Sequence, residues 1–321
     1  MATFHPLLAP TGPLSGRPAS SEPASADSLW TRLRRDRVGL VALGACAGLV
    51  ALSAAAPVVV HLLGRPGYAV LDKSALDPYF GTATGPSAHH WLGVDLLGED
   101  VFSRTLYGLQ LSVLVGLGST AVCVAVGTTV GLLAGYARGP IDLVLSRGVE
   151  VVLAFPVLLL GLGLASACSL GRGCAGGLIR PGVSTVVLVI AAVNWTGLAR
   201  LVRARARELG EAEFVLAARA LGASHPRIVL HHVLPNLLGP VVVYAALLVP
   251  QCILLEAALS FLGVGVTPPR PSLGQMLADA APGFQHHWWY MTFPGLALLA
   301  LVVALNVLGD RVRAALAPRG A

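Results

Sequence analysis

"TLYGLQLSVLVGLGSTAVCVAVGTTVGLLAGYA", residues 105–137, contains no Lys, Arg, Asp or Glu. At 1.5 Å per residue such a run, as helix, crosses a hydrocarbon core roughly 30 Å thick with length to spare. Five more runs, residues 38–64, 151–171, 181–199, 228–255 and 280–309, are free of the same charges. Each approaches or exceeds the roughly 20 residues that a spanning helix needs. The expected fold is all-α and polytopic, with six transmembrane helices. No strand alternation or repeat period is evident.

Composition agrees with this reading. Of 321 residues 55% are hydrophobic and 12% are charged, against roughly 25% charged in an average soluble domain. A cleaved leader is the rival for the first run, because Arg32, Arg34, Arg35 and Arg37 precede it. Both the run and the stretch before those arginines are too long for a signal peptide. Residues 1–37, rich in Pro, Ser, Ala and Gly, are expected as a disordered tail.

Positive charge sets the orientation, since Lys and Arg near span ends stay in the cytoplasm. With the N-terminus inside, Arg65, Lys73, Arg104, Arg172, Arg180 and Arg270 lie outside and the other sixteen of the 22 lie inside. Both termini are expected in the cytoplasm. The net charge of +6 then reports topology, and nucleic acid is not implied. The expected layout is a first helix and external segment over 38–104, a five-helix core over 105–310 and a cytoplasmic tail over 311–321. Within it, "ARGPIDLVLSR" is read as a turn and Phe155-Pro156 as a bend in span three.

Several motifs fail on inspection. "GYAVLDKS", residues 67–74, nearly matches a phosphate loop, but Asp72 stands where that cradle needs Gly. "GRGCAG", residues 171–176, has the letters of a dinucleotide fingerprint without the strand, helix and acid around it. The pairs His89-His90, His231-His232 and His286-His287 put adjacent rings about 100° apart on a helix, so no metal site is expected. Trp288 and Trp289 suit an aromatic belt at the outer interface. Cys168 and Cys174 flank an outward loop where a disulfide is permitted by compartment alone. With no GxSxG, HExxH or converging carboxylates, an enzyme is not expected.

Residues 200–235 hold six arginines and three glutamates between the fourth and fifth spans. That charge excludes another span and puts the segment in the cytoplasm. Phe214, Ala217, Ala218 and Leu221 recur at helical spacing. Gly222 can end that helix, Ser224 can cap a second with Pro226 in its first turn, and Pro235 marks the return to the membrane. A short Ala-lined helix suits a partner's groove, and equally suits an anionic lipid surface. Two acid groups also stand out. Glu256 is the one acid inside an expected span, a candidate either for the pathway or for a hydrogen bond to another span. Asp95, Glu99 and Asp100 lie outside, where they can dock a protein or cap a turn.

The 200–235 segment resembles the signature loop of binding-protein-dependent ABC importer permeases. Ala217, Ala218, Gly222, Leu234 and Pro235 fall in register with Glu-Ala-Ala, three residues, Gly, eleven residues and Leu-Pro; Leu216 replaces the Glu. "HWLGVDLLGEDVFSRTLYG", "LLAGY", "LAFPVLLL", "EAALSFLGVGVTPPRPSLGQML" and "FPGLALLALVVALNVLGDRVRAALAPR" are similar, in order, to segments of the dipeptide, oligopeptide and nickel permeases, C-type subunit. The resemblance implies one permease subunit paired with a related one, two cytoplasmic ATPase subunits and an external substrate-binding protein, in a bacterial inner membrane. It implies ATP and Mg on those partners, with no cofactor or metal on this chain. Residues implied at the ATPase contact are Glu213, Phe214, Leu216, Ala217, Ala218, Leu221, Gly222, Ala223 and Pro235, with Glu211 or Glu213 available to replace the lost carboxylate. Asp95, Glu99 and Asp100 are then candidates for the binding-protein contact. The implied cargo is a dipeptide or oligopeptide, with nickel or another small solute as the alternative. A secondary transporter would show inverted repeats, which are not detected.

Overall fold

The computed structural model describes residues 36–169, 182–266 and 268–316. Eleven α-helices carry the description. They are α1 (Arg37–Ala54), α2 (Ala56–Leu62), α3 (Val101–Ala137), α4 (Gly139–Leu153) and α5 (Val157–Ser169), then α6 (Val183–Gly210), α7 (Glu213–Ala220) and α8 (His225–Ile228), and finally α9 (Leu234–Phe261), α10 (Leu273–Ala280) and α11 (Trp288–Leu316). Five of them, α1, α3, α6, α8 running on into α9, and α11, are long and apolar enough to cross a membrane. The bent pair α4 and α5 makes a sixth if counted as one span. Of the Cys168–Cys174 pair, Cys168 lies near the end of α5 and Cys174 lies outside the described residues.

Local chemistry fixes the boundaries. Asp36 caps α1 by accepting from the Val38 N–H at 3.0 Å, and its other oxygen accepts from Arg311 on α11 at 3.3 Å. Asp100 caps α3 through the Ser103 N–H at 2.9 Å. The segment read as a turn after α3 is instead the helix α4, because Pro140 sits in its first turn, where a missing N–H costs nothing. No breaker follows until Pro156, where the chain turns by 90°. Likewise the fourth span does not stop at its first arginine. α6 continues to Gly210, since Arg, Ala, Glu and Leu all favour helix once clear of lipid.

Small residues hold the centre together. α3, α6 and α9 share a core of Leu111, Val115, Val189, Ile190, Leu248 and Leu259. Gly127, Gly131 and Gly135 form a stripe on α3 that meets the backbone carbonyls of Trp195, Ala199 and Arg203 on α6. Both rows repeat every four residues, so two smooth faces come into contact, which is how spanning helices approach without a hydrophobic drive between them. A methyl added at Gly131 would lie 2.5 Å from the Ala199 oxygen and 2.8 Å from Val202 Cβ. Gly131→Ala is therefore expected to cost about 1–3 kcal/mol, seen as a lowered melting temperature in detergent. Gly118→Ala, whose new methyl would meet Val187 at an ordinary 3.5 Å, should leave that temperature unchanged.

The two ends of the bundle differ. One, the basic end, carries residues 200–207 of α6 together with α7 and α8. The far end is capped by residues 64–100, α10 and the start of α11, around buried Val94, Val101, Met276, Ala280 and Tyr290. Trp289 belongs to this cap. It is buried over Gly93 and donates from Nε1 to the Val94 carbonyl at 3.1 Å, so only the exposed Trp288 fits the interfacial belt.

Candidate functional site

At the basic end two residues, 211–212, turn the chain from α6 into α7. One side chain anchors the short helix: Val215 is fully buried among Val202, Ala206, Ile228, Val233 and Leu237, contributed by α6, α8, the following turn and α9. The opposite face is open. Phe214, Leu216, Ala217 and Leu221 are exposed, Leu221 to 89%. Ala218 lies at the edge, half-buried, instead of on that face. Gly222 ends the helix as expected, with φ at +82°, while the Ala223 N–H reaches back to the Ala218 carbonyl at 3.0 Å. Ala223 is half-buried against the same core as Val215.

The loop is fastened to α3 as well. Tyr136 Oη meets His225 Nδ1 at 2.9 Å, and Arg138 donates to Glu211 at 2.8 Å. Glu211 thus holds an arginine, whereas Glu213 is exposed in the first turn of α7. Ser224 occupies the N-cap position of α8 without a side-chain cap bond. Pro235 does not mark a bend. The five residues ahead of Leu234, Val229–Val233, form a π turn that joins α8 to α9, and Pro235 lies exposed in the first turn of α9. The widened turn frees the proline from donating an N–H it lacks.

At the far end the three acids point inward. Asp95, Glu99 and Asp100 are each under 10% exposed. Asp95 accepts from the Leu97 and Glu99 N–H groups at 2.9 and 2.8 Å, and from Arg104 at 3.0 Å; Arg104 also pairs with Glu99. Burial pushes the Asp95 carboxyl up, with the Arg104 charge opposing. Asp100 caps α3 and bonds His90 Nδ1 at 2.9 Å. Above them a cavity of about 550 Å³ is lined by Asp95, Glu99, Arg104, Arg270, Asp279 and Tyr290, with Asp279 exposed at its edge.

Glu256 is fully buried on α9. It accepts from three hydroxyls: Ser112 of α3 at 3.0 Å, Ser260 one turn on at 2.7 Å, and Ser272, ahead of α10, at 2.8 Å. It lines neither the far-end cavity nor the two at the basic end. Sequence reasoning missed Val215 and the three serines. Val215 carries one signal, the β-branched residue in an Ala-rich helix; the serines carry none.

A membrane-crossing helical bundle with a short helix anchored on one face and open on the other defines a polytopic membrane protein with an exposed apolar patch at one end. Comparison with known proteins supplies the rest. The chain belongs to the family of binding-protein-dependent transport system inner membrane components, whose pattern matches residues 127–320. Among its relatives, the dipeptide transport system permease protein DppC of Alkalihalophilus pseudofirmus is 35% identical over 99% of each chain. DppC of Bacillus subtilis is 33% identical over 90% of this chain and 84% of its own. The glutathione transport system permease protein GsiD of Pectobacterium atrosepticum is 37% identical over 73% of this chain and 74% of its own. Among solved structures, the inward-facing MetNI methionine ABC transporter matches with a TM-score of 0.51 at 20% identity, covering 67% of this chain and 97% of that one, which supports the fold. The protein is a multi-pass component of a bacterial inner membrane transport system.

Proposed function

We propose that the chain is one of two related permease subunits of an ATP-driven importer that receives dipeptides or oligopeptides from an external substrate-binding protein. The observation that carries this reading is the open apolar face of α7, held to the spanning helices through buried Val215. A face fixed to α6 and α9 turns a push by a partner into movement of those helices, provided the packed bundle has discrete states. Two ATPase subunits take that role and bind the ATP and Mg, so the basic end and both termini face the cytoplasm. The peptide cargo is supported by relatives named for dipeptide and glutathione transport.

Reconstitution of the four-subunit complex with its binding protein is expected to give dipeptide uptake that needs ATP and survives a proton uncoupler. Uptake of nickel but not dipeptide, or uptake lost to the uncoupler at constant ATP, would overturn the reading.

Binding-protein docking at the far end uses the rim of the cavity, with Asp279 and Arg270 outermost. Asp95, Glu99 and Asp100 shape that site from beneath through Arg104 and His90. Asp279→Lys is expected to weaken binding-protein association at low salt by about threefold, as rim charges do, with the difference vanishing at high salt.

A further inference from the structure

The segment between α9 and α11 is folded unusually tightly onto α9. Gly263, with φ at +80°, ends α9, and the Val264 N–H returns to the Leu259 carbonyl at 3.0 Å. A methyl on Gly265 would overlap Ser260, and one on Gly274 would overlap the Ala257 carbonyl. Leu273 and Met276 are fully buried. At the centre of this contact sits the Glu256 carboxylate with its three serine donors. Oε1 takes both Ser260 and Ser272, while Oε2 takes Ser112.

α9 also reaches the core beneath α7 at its other end. Leu237, near its start, shares a buried apolar cluster with Val215, about 30 Å along the helix from Glu256 at 1.5 Å per residue. One element therefore shares a core with α7 at the basic end and packs on α10 at the far end. Its hold on the α10 segment combines the backbone contact of Gly274 on Ala257 with one polar tie, the Ser272 bond to Glu256. Ser112 links the same carboxylate to α3, in a setting where a hydroxyl left without a partner is costly.

We propose that Glu256 is a positioning residue, the fastening by which α9 carries α10 when the partner pushes α7, so that the far end opens in step with the basic end. This rests on the transport reading above. The chemistry makes a sharp distinction between variants. Glutamine can accept from Ser260 and Ser272 through its oxygen and donate to the Ser112 hydroxyl through its amide, so all three bonds survive without the charge. Alanine removes all three.

The test uses the reconstituted complex with spin labels at Leu254→Cys on α9 and Phe284→Cys just past α10, together with dipeptide uptake and ATP hydrolysis. Glu256→Gln is expected to keep uptake within about twofold of the parent, with one narrow distance in both nucleotide states. Glu256→Ala is expected to lose at least about tenfold in uptake, keep hydrolysing ATP, and broaden the distance distribution. Parental uptake in Glu256→Ala would overturn the proposal. So would equal loss in Glu256→Gln, which would mean that charge, as in cargo contact, is what matters. If Glu256→Ala does not assemble, Ser272→Ala removes a single bond and is expected to lower uptake about threefold in an intact complex; parental uptake there overturns the proposal too. Failure of the unsubstituted complex to import with ATP would instead strike the transport reading itself.

Discussion

Leu221→Asp is expected to reduce ATP-driven uptake more than tenfold while leaving the amount of folded protein in the membrane unchanged. Leu221 is 89% exposed and loses almost nothing within this chain when replaced, as is usual for surface positions. Seated in a partner's apolar groove, however, a carboxylate without a hydrogen-bond partner costs several kcal/mol, and about 1.4 kcal/mol is already tenfold in affinity. The ATPase subunits should no longer copurify, whereas Leu221→Met should retain them. Normal copurification with Leu221→Asp would remove this face from the interface.

Arg104→Ala is expected to destabilise the far end by about 3–5 kcal/mol, the usual result of removing one member of a buried ion pair. Asp95 and Glu99 would both be left buried and uncompensated. Proteolysis within residues 64–100 and a lower melting temperature would report it. Adding Asp95→Asn and Glu99→Gln to Arg104→Ala should restore most of the loss, because the penalty comes from stranded charge and not from missing attraction. A triple variant no better than the single one would show that Arg104 acts mainly by packing.

How much of this was legible in the sequence depended on the range of the interactions involved. α3, α9 and α11 were plain because lipid excludes charge, and absence of charge is a one-dimensional signal. α4 was hidden by its own start: Gly139-Pro140 reads as a turn, yet Pro is welcome in a first turn. The extension of α6 was missed for a related reason. The arginines end the apolar run, but they do not end the helix. Gly222 could be placed as a helix stop because a left-handed cap is a local need. The surroundings of Glu256 were out of reach, since Ser112 lies 144 positions away and Ser272 sixteen. Asp95, Glu99 and Asp100 could be read as acids that dock a protein or cap a turn, but not as buried, since external loops commonly carry solvated charge. Their burial follows from Arg104, a residue on α3 that reaches back over its own N-terminus.

The π turn at Val229–Val233 has a consequence for geometry. With the Leu234 N–H bonded to Val229, five residues back, this turn holds one residue more than an ordinary one. Because this wide turn takes up its extra residue within its own hydrogen-bonded ring, excising one residue there would restore the common pitch and leave the segments on either side at nearly their present angle. Leu221 would keep its aim. The direction of the elbow is thus guarded against the loss of one residue at this point.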